Sequence, residues 1–377
     1  MAIGLPRIKV FVRLWDKLRR FFDTIVFCHK TVPVWDRRFL GVLSDAVRLC
    51  RAGKYEPREA FELGLLKPDL PSCELAKYVS RKKLTKAQES VNPVSWEPVL
   101  KNKGIFYRYC MTMGIAVPKL YAIFFKKTAG WSYDASPLIS RGNWERFFDR
   151  LPQEFVVKPC RGAEGRKFNI FRRRDKTGFV DAFDKFYTPG QLYEVMAADK
   201  EHDSFVLQER LFNLPEIVRL SGTDFLQTVR CITFVDINNK CHIMLAYFKP
   251  IIGGNIIDNY QCGLTGNLEA RVSLESGLLE PAKQVKNDGS GLVDVFTHPK
   301  TGISFEGFRL PLWEQTCRLV KETAPKFLPV RTIGWDVAIT PDGPRIVEGN
   351  IWWDQANEYP CMDVILNTMS SAAKKNG

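Results

Sequence analysis

The segment Gly334-Trp335-Asp336-Val337-Ala338-Ile339-Thr340-Pro341-Asp342-Gly343-Pro344-Arg345-Ile346-Val347-Glu348-Gly349-Asn350 restricts the fold more than any other stretch of this chain. Two β-rich runs, 332–340 and 344–348, flank a Pro-Asp-Gly turn, which is the pattern of an antiparallel hairpin. Centring that hairpin on Asp342 sets Asp336 opposite Glu348, and paired residues hold their Cβ atoms about 4.5–5.5 Å apart on one face. Asn350 follows Glu348 by two and shares that face. Carboxylates that close repel unless a cation sits between them. Two carboxylates and an amide are hard oxygen donors of the kind Mg2+ takes when it also touches phosphates. The alternative is a surface hairpin with solvated acids. The flanking Ile333, Trp335, Val337, Ile346, Val347 and Ile351 argue against it.

The rest of the chain has ordinary globular composition. Of 377 residues, 45% are hydrophobic and 26% charged, which excludes a disordered, collagenous or coiled-coil protein. The length suits roughly two to three domains and needs no disulfide or structural metal to fold. No uncharged apolar run reaches the roughly 18 residues of a membrane-spanning helix. A net charge of +13 favours anionic partners: nucleotides, acidic sugars, nucleic acid or an anionic membrane surface. Basic residues occur along the whole chain, which argues against a simple nucleic-acid-binding arm. The ten cysteines include no C-x-x-C pair, so zinc-ligand spacing is absent. No secretory leader is visible, and the expected setting is the reducing cytoplasm.

The organisation expected is a helical N-terminal region, 1–95, followed by a mixed domain over 96–377. Residues 5–30 place Val12, Trp15, Leu18, Phe22 and Ile25 at three- and four-residue spacing, an amphipathic helix. It either lies on a membrane surface or packs on the domain with its basic face in water. Residues 35–90 read as short polar helices broken by Gly53, Pro57, Pro68 and Pro71. From 96 onward helices and strands alternate. A helix is expected over 97–115 and again over 191–198 and 311–324. Strands are expected at 117–125, 154–158, 168–172 and 204–209, and at 228–235 and 241–248 about an Asn238-Asn239 hairpin turn. This predicts an α+β fold with antiparallel sheets.

A second motif is Phe155-Val156-Val157-Lys158-Pro159-Cys160-Arg161-Gly162-Ala163-Glu164-Gly165-Arg166-Lys167-Phe168. It reads strand, glycine-containing loop, strand. The glycines let backbone N–H groups approach a phosphate, and Lys158 ends the strand beside the loop. No Gly-Lys-Ser/Thr opens a helix, so this is not a Walker A loop. Alone it also fits a surface turn. Val206-Leu207-Gln208-Glu209-Arg210-Leu211 is an apolar strand ending in polar residues, and Asn102-Lys103 opens a further helix.

The order of these motifs resembles the ATP-grasp superfamily over residues about 96–355. Thr228-Val229-Arg230, Asp258-Asn259, His298-Pro299-x-Thr301-Gly302, Phe305-x-Gly307, Pro311-x-Trp313 and Gly334-Trp335-Asp336 narrow it to the sugar-transfer-associated ATP-grasp subfamily. That group is similar to alpha-L-glutamate ligases and is typically encoded with polysaccharide biosynthesis genes. The resemblance implies two α+β lobes gripping ATP, with a nucleotide-flap subdomain over about 153–210. It implies that Lys103 and Lys158 hold the ATP phosphates and that Gly162 and Gly165 form the flap. Gln208, Glu209, Arg210 and Leu211 would form the adenine-contacting hinge. Asp336, Glu348 and Asn350 would bind Mg2+, and Arg230 would stabilise the oxyanion or clamp the acceptor carboxylate. Asp258 and Asn259 would lie at the mouth. Two positions depart from the pattern: the third flap glycine is replaced near Lys167, and the Gly-Gly after Asp-Asn reads Cys262-Gly263.

The implied reaction joins a carboxylate to an amine through an acyl-phosphate, using ATP and Mg2+ on small, sugar-linked substrates, with no nucleic acid as partner. A kinase on the same scaffold, or a non-catalytic basic protein binding nucleic acid or a membrane surface, are the alternatives. His298 reads either as a base or as a turn histidine shaping the loop before Pro299, and Arg172-Arg173-Arg174-Asp175 as a solvated strand end.

Overall fold

A computed structural model of the chain describes residues 5–375, apart from Asp69, 163–166, 261–264, Asn287, Asn357, Glu358 and Pro360, and without the side chains of 5–17, Arg20 and 372–375. The chain divides into two compact units. One comprises residues 1–91, 283–294 and 354–377, and the other 92–282 and 295–353.

The first unit is helical: α1 (Leu5–Val34), α2 (Phe39–Arg48), α3 (Pro57–Glu62), α4 (Ser72–Leu75) and α5 (Arg81–Glu89), with a C-terminal helix over Met362–Lys375. Pro57 opens α3 at a position that needs no N–H donor, and Glu56 and Glu59 close a reciprocal cap there. Cys28, Val42, Leu49, Phe61 and Leu66 form its small core. Arg81 pairs with Asp354 at 2.7 Å.

The second unit carries two seven-stranded sheets, all but residues 283–285 and 292–294 of them. Its helices are α6 (Glu97–Lys101), α7 (Lys103–Thr112), α8 (Arg141–Phe148), α9 (Pro189–Ala197), α10 (Pro215–Ser221) and α11 (Trp313–Thr323). The first sheet contains β1 (Leu120–Phe125), β2 (Trp131–Ser132), β3 (Glu154–Pro159), β4 (Asn169–Asp175), β5 (Gly178–Asp181), β6 (Phe186–Tyr187) and β7 (Ser204–Glu209), in the order β2-β1-β7-β3-β4-β5-β6. The second contains β8 (Thr228–Val235), β9 (Cys241–Phe248), β10 (Glu269–Val272), β11 (Leu279–Val285), β12 (Leu292–Val295), β13 (Thr332–Thr340) and β14 (Gly343–Asn350), in the order β12-β11-β10-β9-β8-β13-β14. The pairings of the first sheet are antiparallel, as are those among β8, β9, β10, β13 and β14.

Aromatic residues fill both cores. Phe124, Trp144, Phe148, Phe155, Phe171 and Phe205 pack with α8 and α9 in one. Phe106, Phe248, Phe327, Trp335 and Val337 pack in the other. β13 is buried along its whole length because it lies between β8 and β14 within the sheet. The helix expected over 97–115 is interrupted. Asn102 has extended backbone and caps α7, its Oδ1 accepting the Ile105 N–H, so one reading frame of apolar residues becomes two helices.

Candidate active site

The site end of the β13–β14 hairpin depends on a bulge. From the Pro341-Asp342 turn the pairs run Thr340 with Gly343, Ile339 with Pro344, Ala338 with Arg345 and Val337 with Ile346. The register then shifts, and the next pair is Asp336 with Glu348. Val347 is the extra residue of the bulge. Without it Asp336 would face Val347 and the two carboxylates would not share a face. The Val347 carbonyl accepts a hydrogen bond from Tyr107 Oη at 2.6 Å. Gly349 has no room for a side chain, since a Cβ would fall 2.7 Å from Leu100 and 2.9 Å from the Trp335 ring.

Asp336 is the centre of a buried charge network. Across β8 it faces Arg230 in register, whose Nε and Nη2 donate to its two oxygens at 2.6 and 3.0 Å. Lys249, just beyond β9, lies 3.2 Å from the same carboxylate and 3.4 Å from Asp258. Asp258 Oδ2 also accepts from Thr228 N at 2.8 Å and Thr228 Oγ1 at 2.5 Å. Burial acts to raise the Asp336 carboxyl, but Arg230 and Lys249 overcome it and hold the group well below the usual carboxylate range. Burial prevails at Asp258, whose carboxyl is pushed up. Burial acts to lower the Lys249 ammonium, and Asp258 and Asp336 together raise it.

Glu348 and the lysines form the other half. Lys103 opens α7, and its Nζ lies 3.6 Å from Glu348 Oε2 and donates to the Gly162 carbonyl at 3.3 Å. Its backbone N–H is bound to Cys160 O at 2.7 Å, which fixes the helix start to the end of β3. Lys158 projects from β3, donates to Tyr107 Oη at 3.0 Å and sits 5.3 Å from that ring's centre. Burial, then repulsion from Lys103, pushes its ammonium down to about 7. Glu348 is lowered: burial would raise it, but Lys103 prevails, with Asp336 opposing.

Asp336, Glu348, Asn350, Arg230, Lys103 and Lys158 are thus brought together, and Gly162 lies against Lys103. Gln208 is buried on β7, opposite Val156 of β3, and its Oε1 lacks a hydrogen-bond partner. Glu209 is bound to the Lys119 N–H at 2.9 Å. Arg210 is engaged by Glu154 and Asp224, both at 2.8 Å, and Leu211 is buried. Gly165, Cys262 and Gly263 lie outside the described residues. His298 is buried, with Nε2 against Ile251 O at 3.1 Å and Nδ1 accepting the Lys300 N–H at 3.3 Å. Both ring nitrogens are spent on loop backbone, which is the turn-histidine arrangement.

Sequence reasoning passed over Tyr107 and Lys249. Tyr107 binds the bulge and Lys158, but in the sequence it is one aromatic among several in α7. Lys249 stands in Phe248-Lys249-Pro250, where a lysine at a strand end ordinarily reads as solvated. The only signal was an apolar run leading into it with Asp258 close behind.

The donor chemistry fits a hard divalent cation. Among the described residues no group of three His, Cys, Asp or Glu is placed to hold a metal ion; the third donor here is the Asn350 amide. Asn350 Nδ2 donates to Gly334 O and to Glu348 Oε1, each at 3.3 Å. That leaves its Oδ1 without a hydrogen bond among the described residues, beside two mutually repelling carboxylates.

Lysines from β3 and the start of α7, set beside a carboxylate-bearing hairpin of the other sheet, make the arrangement of the ATP-grasp class. The chain matches the sugar-transfer associated ATP-grasp family over residues 83–362 and belongs to that family. No curated protein matches it. Among solved structures it is similar to D-alanine–D-alanine ligase from Bacillus anthracis (TM-score 0.37, 13% identity, 74% of this chain and 70% of that one). It is similar also to the D-alanine–D-alanine ligase from Coxiella burnetii (0.38, 12%, 74% and 58%). A third is the biotin carboxylase domain of 2-oxoglutarate carboxylase from Hydrogenobacter thermophilus, in complex with MgADP, ADP and bicarbonate (0.43, 11%, 73% and 46%). The chain therefore spans only about half to two thirds of some of these proteins.

Proposed function

We propose that this protein is an ATP- and Mg2+-dependent carboxylate–amine ligase that forms an amide or peptide bond through an acyl-phosphate. Its substrates would be sugar-linked, in polysaccharide or glycoconjugate biosynthesis in the cytoplasm. The observation that carries the reading is the pairing of Asp336 with Glu348 through the Val347 bulge, with Lys103 and Lys158 beside them. The organisation proposed with it is a helical region, 1–95, ahead of an ATP-grasp domain, 96–377, whose flap subdomain covers about 153–210. The nine described cysteines, all free thiols, suit a reducing compartment.

Each residue has a physical task. Lys103 and Lys158 bind the nucleotide phosphates, and proximity to a polyanion restores the charge that burial takes from Lys158. Asp336, Glu348 and Asn350 would hold Mg2+, which when bound withdraws charge from phosphate oxygens. In the first step a substrate carboxylate oxygen bonds to the γ-phosphorus and the bond to ADP breaks. In the second, the amine bonds to the acyl carbon, phosphate leaves and the amine gives up a proton. Arg230 spends Nε and Nη2 on Asp336, so Nη1 keeps donors for the acyl oxygen as negative charge develops there.

The test is ADP release from purified protein with Mg·ATP and a panel of amino acids, uronic acids and amines. The expected result is ADP that requires both an acid and an amine, abolished in Glu348→Gln while Mg-free folding is retained. A stable phosphorylated product without any amine would make the protein a kinase. No ADP and no ATP binding, together with tight RNA binding, would leave only the non-catalytic alternative.

A further inference from the structure

Helix α1 carries two apolar faces, and only one is used by its own unit. Cys28 and Thr31 are buried, and the Phe27 ring packs 5.6 Å from Phe61 of α3. Successive residues turn by about 100°, so Leu18, Phe22, Ile25 and His29 lie along a different line of the helix, flanked by Phe21 and Val26. Phe21 is 60% and Phe22 63% exposed, and Leu18 and Val26 are exposed beside them. At the far end the His29 ring lies 4.7 Å from that of Phe39 of α2, tilted by 34°, and the next residue, Leu40, is 76% exposed. A lone exposed apolar residue needs no explanation, but adjacent exposed aromatics continuing onto a second helix do.

Charge says what covers this face. Residues 1–91 contain nineteen Lys and Arg against ten Asp and Glu, a net charge of +9 out of the whole chain's +13. Around the apolar line, Arg19, Lys30 and Arg38 are exposed. Arg19 has only a 3.9 Å contact with Asp23, and Lys30 lies 5.2 Å from the Phe27 ring. Among the described residues no helix is long and apolar enough to cross a membrane. Exposed aromatics rimmed by cations on a helix too polar to span are the features of a helix lying in the plane of an anionic bilayer. A second copy of the same basic face would meet like charge.

We propose that α1, with the start of α2, docks the protein on an anionic membrane surface, Phe21, Phe22 and Leu40 entering the headgroup boundary while Arg19, Lys30 and Arg38 contact lipid phosphates. The inference is independent of the ligase reading, since the first unit holds none of the site residues.

The test is co-sedimentation of the full chain with vesicles of phosphatidylcholine alone and of phosphatidylcholine with phosphatidylglycerol, at low and high salt. Binding is expected only to the anionic vesicles, weakened by salt. The double variant Phe21→Glu, Phe22→Glu should lower the partition coefficient about tenfold or more, because two exposed aromatics lose their burial. Its unfolding midpoint and ADP release should stay unchanged. Should that variant misfold, Arg19→Glu with Lys30→Glu gives the same reading on the charge arm. Three results would each overturn the proposal: equal binding to neutral vesicles, unchanged binding of both variants, or no vesicle binding alongside a dimer or an RNA complex that Phe21→Glu, Phe22→Glu abolishes.

Discussion

Lys158→Met should make the nucleotide-free protein more stable and a worse ATP binder at the same time. Lys158 is buried, its ammonium donates to Tyr107 Oη at 3.0 Å, and burial followed by Lys103 brings it from 10.5 down to about 7. That difference corresponds to roughly 5 kcal/mol by which the folded chain disfavours the protonated amine. The unfolded chain keeps this proton until about pH 10.5, whereas the folded chain releases it near 7. The penalty is therefore complete below pH 7 and fades as pH rises toward 10.5, so wild-type stability climbs across that window. Methionine keeps most of the volume and carries no charge. It removes the Lys158 hydrogen bond to the Tyr107 oxygen, at about 1 kcal/mol. After that loss and some relaxation around the ammonium, the variant should gain about 2–4 kcal/mol near pH 6.5, and its stability should be flat where the wild type rises. ATP affinity should move the other way by about 1.5–3 kcal/mol, the worth of a charged hydrogen bond to phosphate, or roughly ten- to 150-fold. Urea unfolding across pH 6–10 and calorimetric titration with Mg·ATP measure both. A variant that is less stable without nucleotide and binds ATP as tightly as wild type would refute the burial argument and the phosphate assignment together.

Two further substitutions probe the hairpin. Asp336→Asn leaves Arg230 and Lys249 buried without their shared carboxylate, and urea unfolding at pH 7 should show a loss of about 3–5 kcal/mol. The Asp336 carboxyl is held below its ordinary value, so its stabilisation is full above the unfolded value near 4 and is lost as pH falls. The gap between wild type and variant should therefore narrow in acid, and a gap independent of pH would contradict the network. Gly349→Ala forces a Cβ to within 2.7 Å of Leu100 and 2.9 Å of Trp335. Thermal unfolding should report about 1–3 kcal/mol of destabilisation, and an unchanged midpoint would mean the strand has room that the packing denies.

The hairpin was readable because its signals are local: β-rich runs, a Pro-Asp-Gly turn and acidic residues at fixed spacing. Even so, Asp336 meets Glu348 for a reason the sequence hides. The turn is centred between Pro341 and Asp342, one step short of the centring on Asp342, and the bulge at Val347 restores the missing residue. Strand patterning has a period of two and cannot register an extra residue whose carbonyl is taken by a tyrosine 240 positions away. The same holds for the break at Asn102: helical periodicity continues through it, and what stops the helix is the cap and the contact of Lys103 N with Cys160 O. Lys249 was out of reach for a third reason. Whether a lysine at a strand end is solvated or buried depends on Asp258 and Asp336, and only the sheet brings all three together.

The network also bears on how the site can be filled. Asp258, Asp336 and Glu348 bring three carboxylates into a network shared with Arg230, Lys249, Lys103 and a Lys158 whose ammonium is pushed down by burial and by Lys103. Arg230 and Lys249 are committed to Asp336 and Asp258, whereas Lys103 is shared between Glu348 and a loop carbonyl. A polyphosphate arriving alone gains the two lysines but meets Glu348 uncompensated once Lys103 turns to it. A divalent cation arriving alone gains two carboxylates but meets Arg230 and Lys249 behind one of them. Each ligand removes the repulsion that opposes the other, so their binding energies must be coupled with a favourable sign. The coupling comes from the bulge: it is the one backbone feature that sets the carboxylates side by side, and Tyr107 holds it in place while also holding the lysine that the phosphates would recharge.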